Sequence, residues 1–167
     1  KDGKRRHFTE WYKNGQKEEE WNWNWNGYGG VVRSTWYKNG QKKSEWNIKD
    51  GKFEGLKTEW YENGQKKFEI NYKEDKREGL STEWYENGQK EDEGNYNHGE
   101  ADGLFTSWYE SGQKSYEKHF KDGRRDGLWT SWHENGQKED EGNYKNGREH
   151  GLWTYWGKKG NVTKTET

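Results

Sequence analysis

The sequence predicts an all-β protein: a linear array of about six to seven 24-residue β-hairpin repeats forming one elongated, twisted antiparallel sheet, solenoid-like in its repetition. Three observations carry this reading. Tryptophan recurs every 24 residues at Trp36, Trp60, Trp84, Trp108, Trp132 and Trp156, with Trp11 one residue out of step. Most of these open the motif W-Y-x-N-G-Q-K, as in Trp60-Tyr61-Glu62-Asn63-Gly64-Gln65-Lys66. Between glycine-containing turns the residues alternate with period two, as in Leu56-Lys57-Thr58-Glu59-Trp60, which excludes helix.

The chain reads as a single repeat domain over 1–167, with an irregular capping unit at 1–30, regular repeats at 31–156 and a capping strand at 157–167. In the first unit, Trp21-Asn22-Trp23-Asn24-Trp25 and a glycine-rich stretch replace the usual second turn and add one residue. Linear repeats need such caps at their open ends. The alternative for Trp21, Trp23 and Trp25, which share a face by period two, is an exposed binding patch. In the regular units Asn39-Gly40, Asn63-Gly64, Asn87-Gly88 and Asn135-Gly136 predict type I′ hairpin turns, with Ser111-Gly112 as a variant. The second connection is D/N-G-x-x-x-G, as in Asp122-Gly123 to Gly127. Asp75 replaces its first glycine in one copy, where strain or a changed register is expected.

One strand should place Leu, Thr and Trp on one face and Lys, Glu and the following Tyr on the other. The next strand carries Glu20, Glu45, Glu69, Glu93, Glu117 or Glu141 and ends on an apolar residue, such as Tyr72 or Phe120. About thirteen strands at ~4.8 Å each predict a sheet ~60 Å long. Equivalent tryptophans then stand ~10 Å apart, too far for ring contact, so other side chains must fill the row.

Hydrophobic residues are only 24% of the chain and charged residues 37%, but 13 tryptophans and 11 tyrosines are present. Each buried ring removes roughly 150–250 Å² from water, so aromatics replace the missing aliphatic core. Without cysteine there are no disulfides or thiolate metal sites, and the compartment stays open. No apolar run reaches the ~20 residues of a membrane span. The absence of methionine suggests a removed initiator or a trimmed segment. With a net charge of −1 and interleaved Lys and Glu, no basic stripe is offered to nucleic acid or anionic lipid.

No catalytic, cofactor or metal motif is found. His7, His98, His119, His133 and His150 fall at unrelated offsets. Asp122 with Asp126 has Arg124 and Arg125 among the acids, which argues against calcium. The repeated glutamates read as a cross-strand Thr–Glu and Lys–Glu network worth a few tenths to ~1 kcal/mol per contact rather than as acid/base pairs. The expectation is a protein without enzymatic activity or cofactor.

One asymmetry stands above the repeat. Three residues before the ladder Trp, Arg33, Lys57 and Ser81 in the N-terminal half become Phe105, Trp129 and Trp153. This second aromatic row, beside Tyr109, Tyr116 and Tyr155, lies on the face opposite Thr and is either packing or a partner-binding surface.

Gly142-Asn143-Tyr144-Lys145-Asn146-Gly147-Arg148-Glu149-His150-Gly151 resembles the MORN repeat, G-x-Y-x-x-G-x-x-x-G, and the copy from Gly94 to Gly103 matches equally. The W-Y-x-N-G-Q-K half looks like the bacterial variant of that repeat. The resemblance implies stacked hairpins in one long sheet, no inherited catalytic residues, and an antitoxin or immunity role towards a protein partner, a toxin or a surface protein. Trp46, Ile70 and Lys118 stand where the family has the glycine of Gly94 and Gly142, so a different local pairing or a second apolar patch is expected there. Two other functions fit the residues: a cell-surface glycan binder using spaced rings, and a filament self-associating through its open edges.

Overall fold

The computed structural model describes residues 7–24, without the Asn24 side chain, and 30–167. Trp25 and the glycine-rich stretch behind it lie outside the described residues. The strands are β1 (His7–Trp11), β2 (Lys17–Asn24), β3 (Gly30–Trp36), β4 (Lys42–Lys49), β5 (Lys52–Phe53), β6 (Gly55–Trp60), β7 (Lys66–Lys73) and β8 (Lys76–Trp84). They continue with β9 (Lys90–Asn97), β10 (Glu100–Trp108), β11 (Lys114–Lys121), β12 (Arg124–Trp132), β13 (Lys138–Lys145), β14 (Arg148–Trp156) and β15 (Val162–Glu166). Each pairs antiparallel with the next in chain order, and the two-residue β5 pairs β4 beside the main path. Because β15 completes a hairpin with β14, the main path has fourteen strands where about thirteen were expected.

A single sheet has no second layer to bury against. The accessible surface is 11065 Å², against roughly 8,800 Å² for a compact monomer of this mass. Among the described residues, Ile70 and Trp153 are the buried apolar ones and no large side chain is fully buried. The middle of the strands is closed instead by small polar residues, including Ser34, Thr58, Thr82, Thr106 and Thr130.

The turns differ from expectation in an informative way. In the W-Y-x-N-G-Q-K loop only the glycine has positive φ, +86° at Gly64 and Gly88. Gly64 N–H donates to Tyr61 C=O at 2.9 Å and Tyr61 N–H to Gln65 C=O at 2.8 Å. This is a type I turn closed by a glycine bulge, not type I′. Asn63 is spared the left-handed region, and its side chain accepts from Gln65 N–H at 2.9 Å. The type I′ turns lie at the second connection, where both central residues have positive φ: 49° and 73° at Asp122-Gly123, and 50° and 68° at Glu74-Asp75. Asp75 does not change the register, since Lys73 still pairs Lys76 as Lys121 pairs Arg124. Its carboxylate accepts from Phe53 N–H at 2.7 Å, tying the substituted turn to the preceding unit.

The loops that follow Trp11 to Trp132 reach forward. The hydroxyls of Tyr12, Tyr37, Tyr61, Tyr85 and Tyr109 donate to the carbonyl of the ladder Trp in the next repeat at 2.7 to 2.8 Å. His133 replaces the tyrosine once and places its Nε2 3.2 Å from Trp156 C=O. The Asn14, Asn39, Asn63, Asn87 and Asn135 amides donate to the following loop at 2.7 to 2.9 Å. The Gln65 amide lies where a Cβ on Gly88 would stand. At the other sheet margin Gly99, Gly123 and Gly147 N–H donate to Arg77, Ala101 and Arg125 C=O of the preceding unit.

On the Thr face, Thr58 stands opposite Glu69 and Thr82 opposite Glu93. Lys42 and Lys66 hold Glu45 and Glu69 at 2.6 Å. The six lysines from Lys17 to Lys138 also cover the next repeat's ladder Trp, 5.3 to 5.9 Å from the ring. The lysine stem thus fills the gap that the ~10 Å spacing leaves between tryptophans.

Small-angle scattering is expected to give a radius of gyration of about 19 Å or more, because a ~60 Å sheet exceeds the ~15 Å of a compact chain of this length. Gly88→Ala should destabilise more than Gly15→Ala. Both meet the ~1–2 kcal/mol left-handed penalty, but only Gly88 has a glutamine amide over it, while nothing lies within 4 Å of a Cβ at Gly15. Equal melting shifts would show that Gln65 yields freely.

Candidate functional site

The face opposite the Thr row is organised by one line of residues crossing the whole sheet. Phe8 pairs Trp21, Trp21 pairs Arg33, and Arg33 pairs Trp46. Further along, Lys57 and Ser81 flank Ile70, Ser81 and Phe105 flank Gly94, and Phe105 and Trp129 flank Lys118. Trp46, Ile70 and Lys118 therefore keep the repeat's pairing and sit in this same line, not in a separate patch. Large and small residues alternate: the Phe105 ring covers Gly94 and the Trp153 indole covers Gly142, where any Cβ would collide.

The row's rings are largely occupied by the protein's own cations. Arg33 lies between Trp21 and Trp46, at 4.8 and 4.9 Å. Lys118 stands 4.3 Å over Tyr116, whose ring stacks on Trp129 at 5.6 Å and 11°. Arg125 lies between Trp129 and Tyr144, at 5.0 and 5.1 Å. Trp129 Nε1 donates to Asp140 at 2.6 Å. Of the residues singled out in the sequence, Tyr116 and Trp129 thus meet directly. Phe105 joins Tyr96 and Phe120 instead, with centroids 5.4 and 5.0 Å away. Trp153 is only 4% exposed and stacks on Tyr155 at 6.4 Å. The Tyr155 hydroxyl donates to Glu166 at 2.6 Å, and that bond pushes its pKa up to about 12. In the first unit Trp21 stacks on Trp23 at 6.1 Å.

A second line beside the row was not visible as a site in the sequence. Just after each W-Y-x-N-G-Q-K loop the register slips by one residue, because Thr35 pairs Ser44 while Trp36 pairs Lys42. The bulged positions are Glu18, Lys43, Lys67, Glu91, Ser115, Glu139 and Thr163. A bulge re-aims its side chain, here towards the loop tyrosine. Lys43 lies 5.6 Å from the Tyr37 ring and Lys67 5.8 Å from Tyr61. At Tyr85 and Tyr109 the same places hold Glu91 and Ser115. Glu91, Asp92, Glu139 and Asp140 join Tyr85, Tyr109, Tyr116 and Trp129 around an open depression of about 500 Å³. Ser107 donates to Asp92 and Ser131 to Asp140. Burial, then the neighbouring Asp92, Glu83 and Glu110 charges, raise the Glu91 pKa. Burial first, then Glu91 and Asp92, raise that of Tyr85. The sign change from Lys67 to Glu91 was the readable signal. It went unread because a bulge residue has no fixed face in a period-two pattern.

No cluster of three or more metal-binding side chains is found among the described residues. Among the described residues no helix is long and apolar enough to cross a membrane. Hairpins tied each to the next, with an aromatic and acidic depression on an open face, define a linear β-repeat protein. The MORN repeat variant model matches residues 53–74, 77–98, 101–122 and 125–146, slightly more than half of the chain, and the protein belongs to that family. No curated protein matches it.

Glu91→Gln is expected to raise the melting temperature near neutral pH. A carboxyl whose folded pKa is raised leaves stability unaffected below its unfolded value; the penalty appears as pH rises through the folded pKa. The advantage of the variant should therefore fade on acidification towards the ordinary carboxylate range. A pH-independent difference would rule out the charge repulsion.

Proposed function

We propose that this is a non-enzymatic binding array that takes a basic segment of a protein partner on the face carrying Phe105, Trp129, Trp153, Tyr109, Tyr116 and Tyr155. The observation that carries the reading is the missing pair of lysines. Tyr37 and Tyr61 each hold a cation of their own chain at the ring. Tyr85 and Tyr109 have Glu91 and Ser115 in its place, with Asp92, Glu139 and Asp140 around the same depression. Among the described residues no Lys or Arg forms an ion pair with Glu83, Glu91, Asp92 or Asp140, Lys67 acting on Glu91 at longer range, whereas the repeat glutamates are each paired. A partner's Lys or Arg side chain fits there, gaining a ring face and carboxylates together.

A sugar is the weaker candidate. Stacking needs free ring faces, and those of Trp21, Trp46, Tyr116 and Trp129 are shared with Arg33, Lys118 and Arg125. The resemblance to the bacterial repeat variant favours an antitoxin or immunity role, with a toxin as the partner that supplies the basic segment.

Affinity capture with the wild-type chain and with Glu91→Lys tests this. The substitution supplies what Lys43 and Lys67 supply and, like Glu91→Gln, removes the charge repulsion, so the melting temperature should not fall. A basic protein retained by the wild type should be lost at least ~10-fold, about 1.4 kcal/mol. Equal retention by both chains would move the site elsewhere, and a retained glycan with no protein would favour the sugar reading.

A further inference from the structure

We infer that a slot over Ser81 and Gly94 takes an arginine side chain of the partner protein, with its guanidinium on Glu83 and Asp92 and its stem against the Phe105 ring. The inference rests on the proposed binding of a basic segment to this face and names the side chain that anchors it. The slot is a cavity of about 220 Å³ in the middle of the aromatic row, lined by these five residues together with Tyr96, Phe120 and Lys118. Asp92 borders both this cavity and the larger depression beside Tyr85.

Beside the aromatic row the cross-strand pairing draws a parallel line from Glu19 through Glu59 to Glu83 and Asp92. In the N-terminal half its acids hold cations of the row. Arg33 bonds Glu19 with its guanidinium between the Trp21 and Trp46 rings. Lys57 stands 3.3 Å from Glu59 and lies over the Trp46 and Phe68 rings. One repeat later the places of Lys57 and Glu59 read Ser81 and Glu83. Asp92 opposite Ser107 and Gly94 opposite Phe105 repeat the register of Glu19 opposite Thr35 and Trp21 opposite Arg33, so Phe105 stands in the place of Arg33. Both acids are kept and both cations are gone. Glu83 and Asp92 are direct cross-strand neighbours, a placing of like charges that destabilises a sheet, and no described Lys or Arg forms an ion pair with either. The nearby cations are engaged elsewhere, Lys118 at 4.3 Å over Tyr116 and Arg77 at 5.0 Å over Tyr96.

A second observation is independent of the acids. Ser81 is 6% exposed, and its hydroxyl, on the wall of the slot, has no hydrogen-bond partner among the described residues. A buried hydroxyl left unpaired costs stability, and an incoming N–H donor removes that cost. Arginine matches the whole set better than lysine. Its planar fork of five donors can reach two neighbouring carboxylates and the serine oxygen while its flat face lies on a ring. An ammonium is a compact, strongly hydrated point charge and cannot lie flat in this way. The molecule already holds guanidinium groups of its own like this, Arg33 between Trp21 and Trp46 and Arg125 between Trp129 and Tyr144.

The test uses a minimal probe and then the partner. Amide NMR of the wild-type chain titrated with acetyl-Gly-Arg-Gly-amide should shift the signals of Ser81, Gly94 and Phe105 saturably. Peptides with lysine or citrulline in place of the arginine should bind at least ~10-fold more weakly. Ser81→Lys rebuilds the Lys57–Glu59 pairing within the chain, so it should keep the β circular dichroism and lose the arginine peptide by a similar factor. If that variant fails to fold, Glu83→Gln keeps the side chain's size and should erase the preference for arginine over citrulline. Equal affinity for the three peptides, or shifts centred away from the slot, would overturn the inference. Affinity capture separates it from the wider reading. A basic protein lost by both Ser81→Lys and Glu91→Lys supports the anchor. One lost by Glu91→Lys but kept by Ser81→Lys overturns the anchor alone, and one kept by both variants overturns both readings.

Discussion

The structure depends on the hydrogen bond from the tyrosine hydroxyl of one loop to the tryptophan carbonyl of the next. A sheet with both faces open has no opposing layer, so its cohesion must run along its length. Backbone ladders join strand to strand but say nothing about loop to loop. The tyrosine, asparagine and glutamine of W-Y-x-N-G-Q-K supply that second connection, each bond contributing of the order of 0.5–1.5 kcal/mol. Where His133 stands in for tyrosine, the ring nitrogen reaches the same carbonyl. The constraint therefore concerns a donor at a fixed reach, not a particular ring. Because the reach is always forward, the two ends of the array are chemically different.

Much of the fold was legible because it is written several times. The 24-residue spacing, the alternation of Leu, Thr and Trp, and the Lys–Glu pairs all appear in space as the pattern implies. The turn types were exchanged, however. Asn-Gly is a strong type I′ signal when the pair alone makes the loop, but Tyr61 to Gln65 closes a longer one. Its asparagine is spent on bonds to its own loop and to the next. No count of turn residues shows that, because the partner lies a whole repeat away. The line from Phe8 to Trp153 draws on two offsets of the repeat, one on each strand of the hairpin, and the cross-strand pairing brings them into one row.

The candidate site was half legible. Phe105, Trp129 and Trp153 stood out as departures from the repeat, and they do share one face. The structure ranks them by burial: Trp153 is closed over Gly142, while Trp129 and Tyr116 border the open depression. Of the acids that give the depression its charge, Glu91 and Glu139 escaped notice because they sit at bulges, where the face of a side chain is set by the local slip in register. Repetition also explains why variation concentrates there. Residues that bond forward are tied to their counterparts in the next unit, while Lys43 and Lys67 meet the ring of their own loop tyrosine, so the charge at a bulge is free to change from unit to unit.

Strand order that equals chain order has a mechanical meaning. A force applied between the two ends of the chain acts across the strands, along the direction of their hydrogen bonds, and loads one rung at a time instead of shearing many together. The sheet should then give way by peeling, hairpin after hairpin, each releasing about 80 Å of chain for 24 residues at ~3.4 Å apiece. The rungs still paired keep their geometry while their neighbours leave. Such a molecule behaves as a stack of small extensible links with a low yield force, able to lengthen severalfold under load and to re-zip from any surviving hairpin.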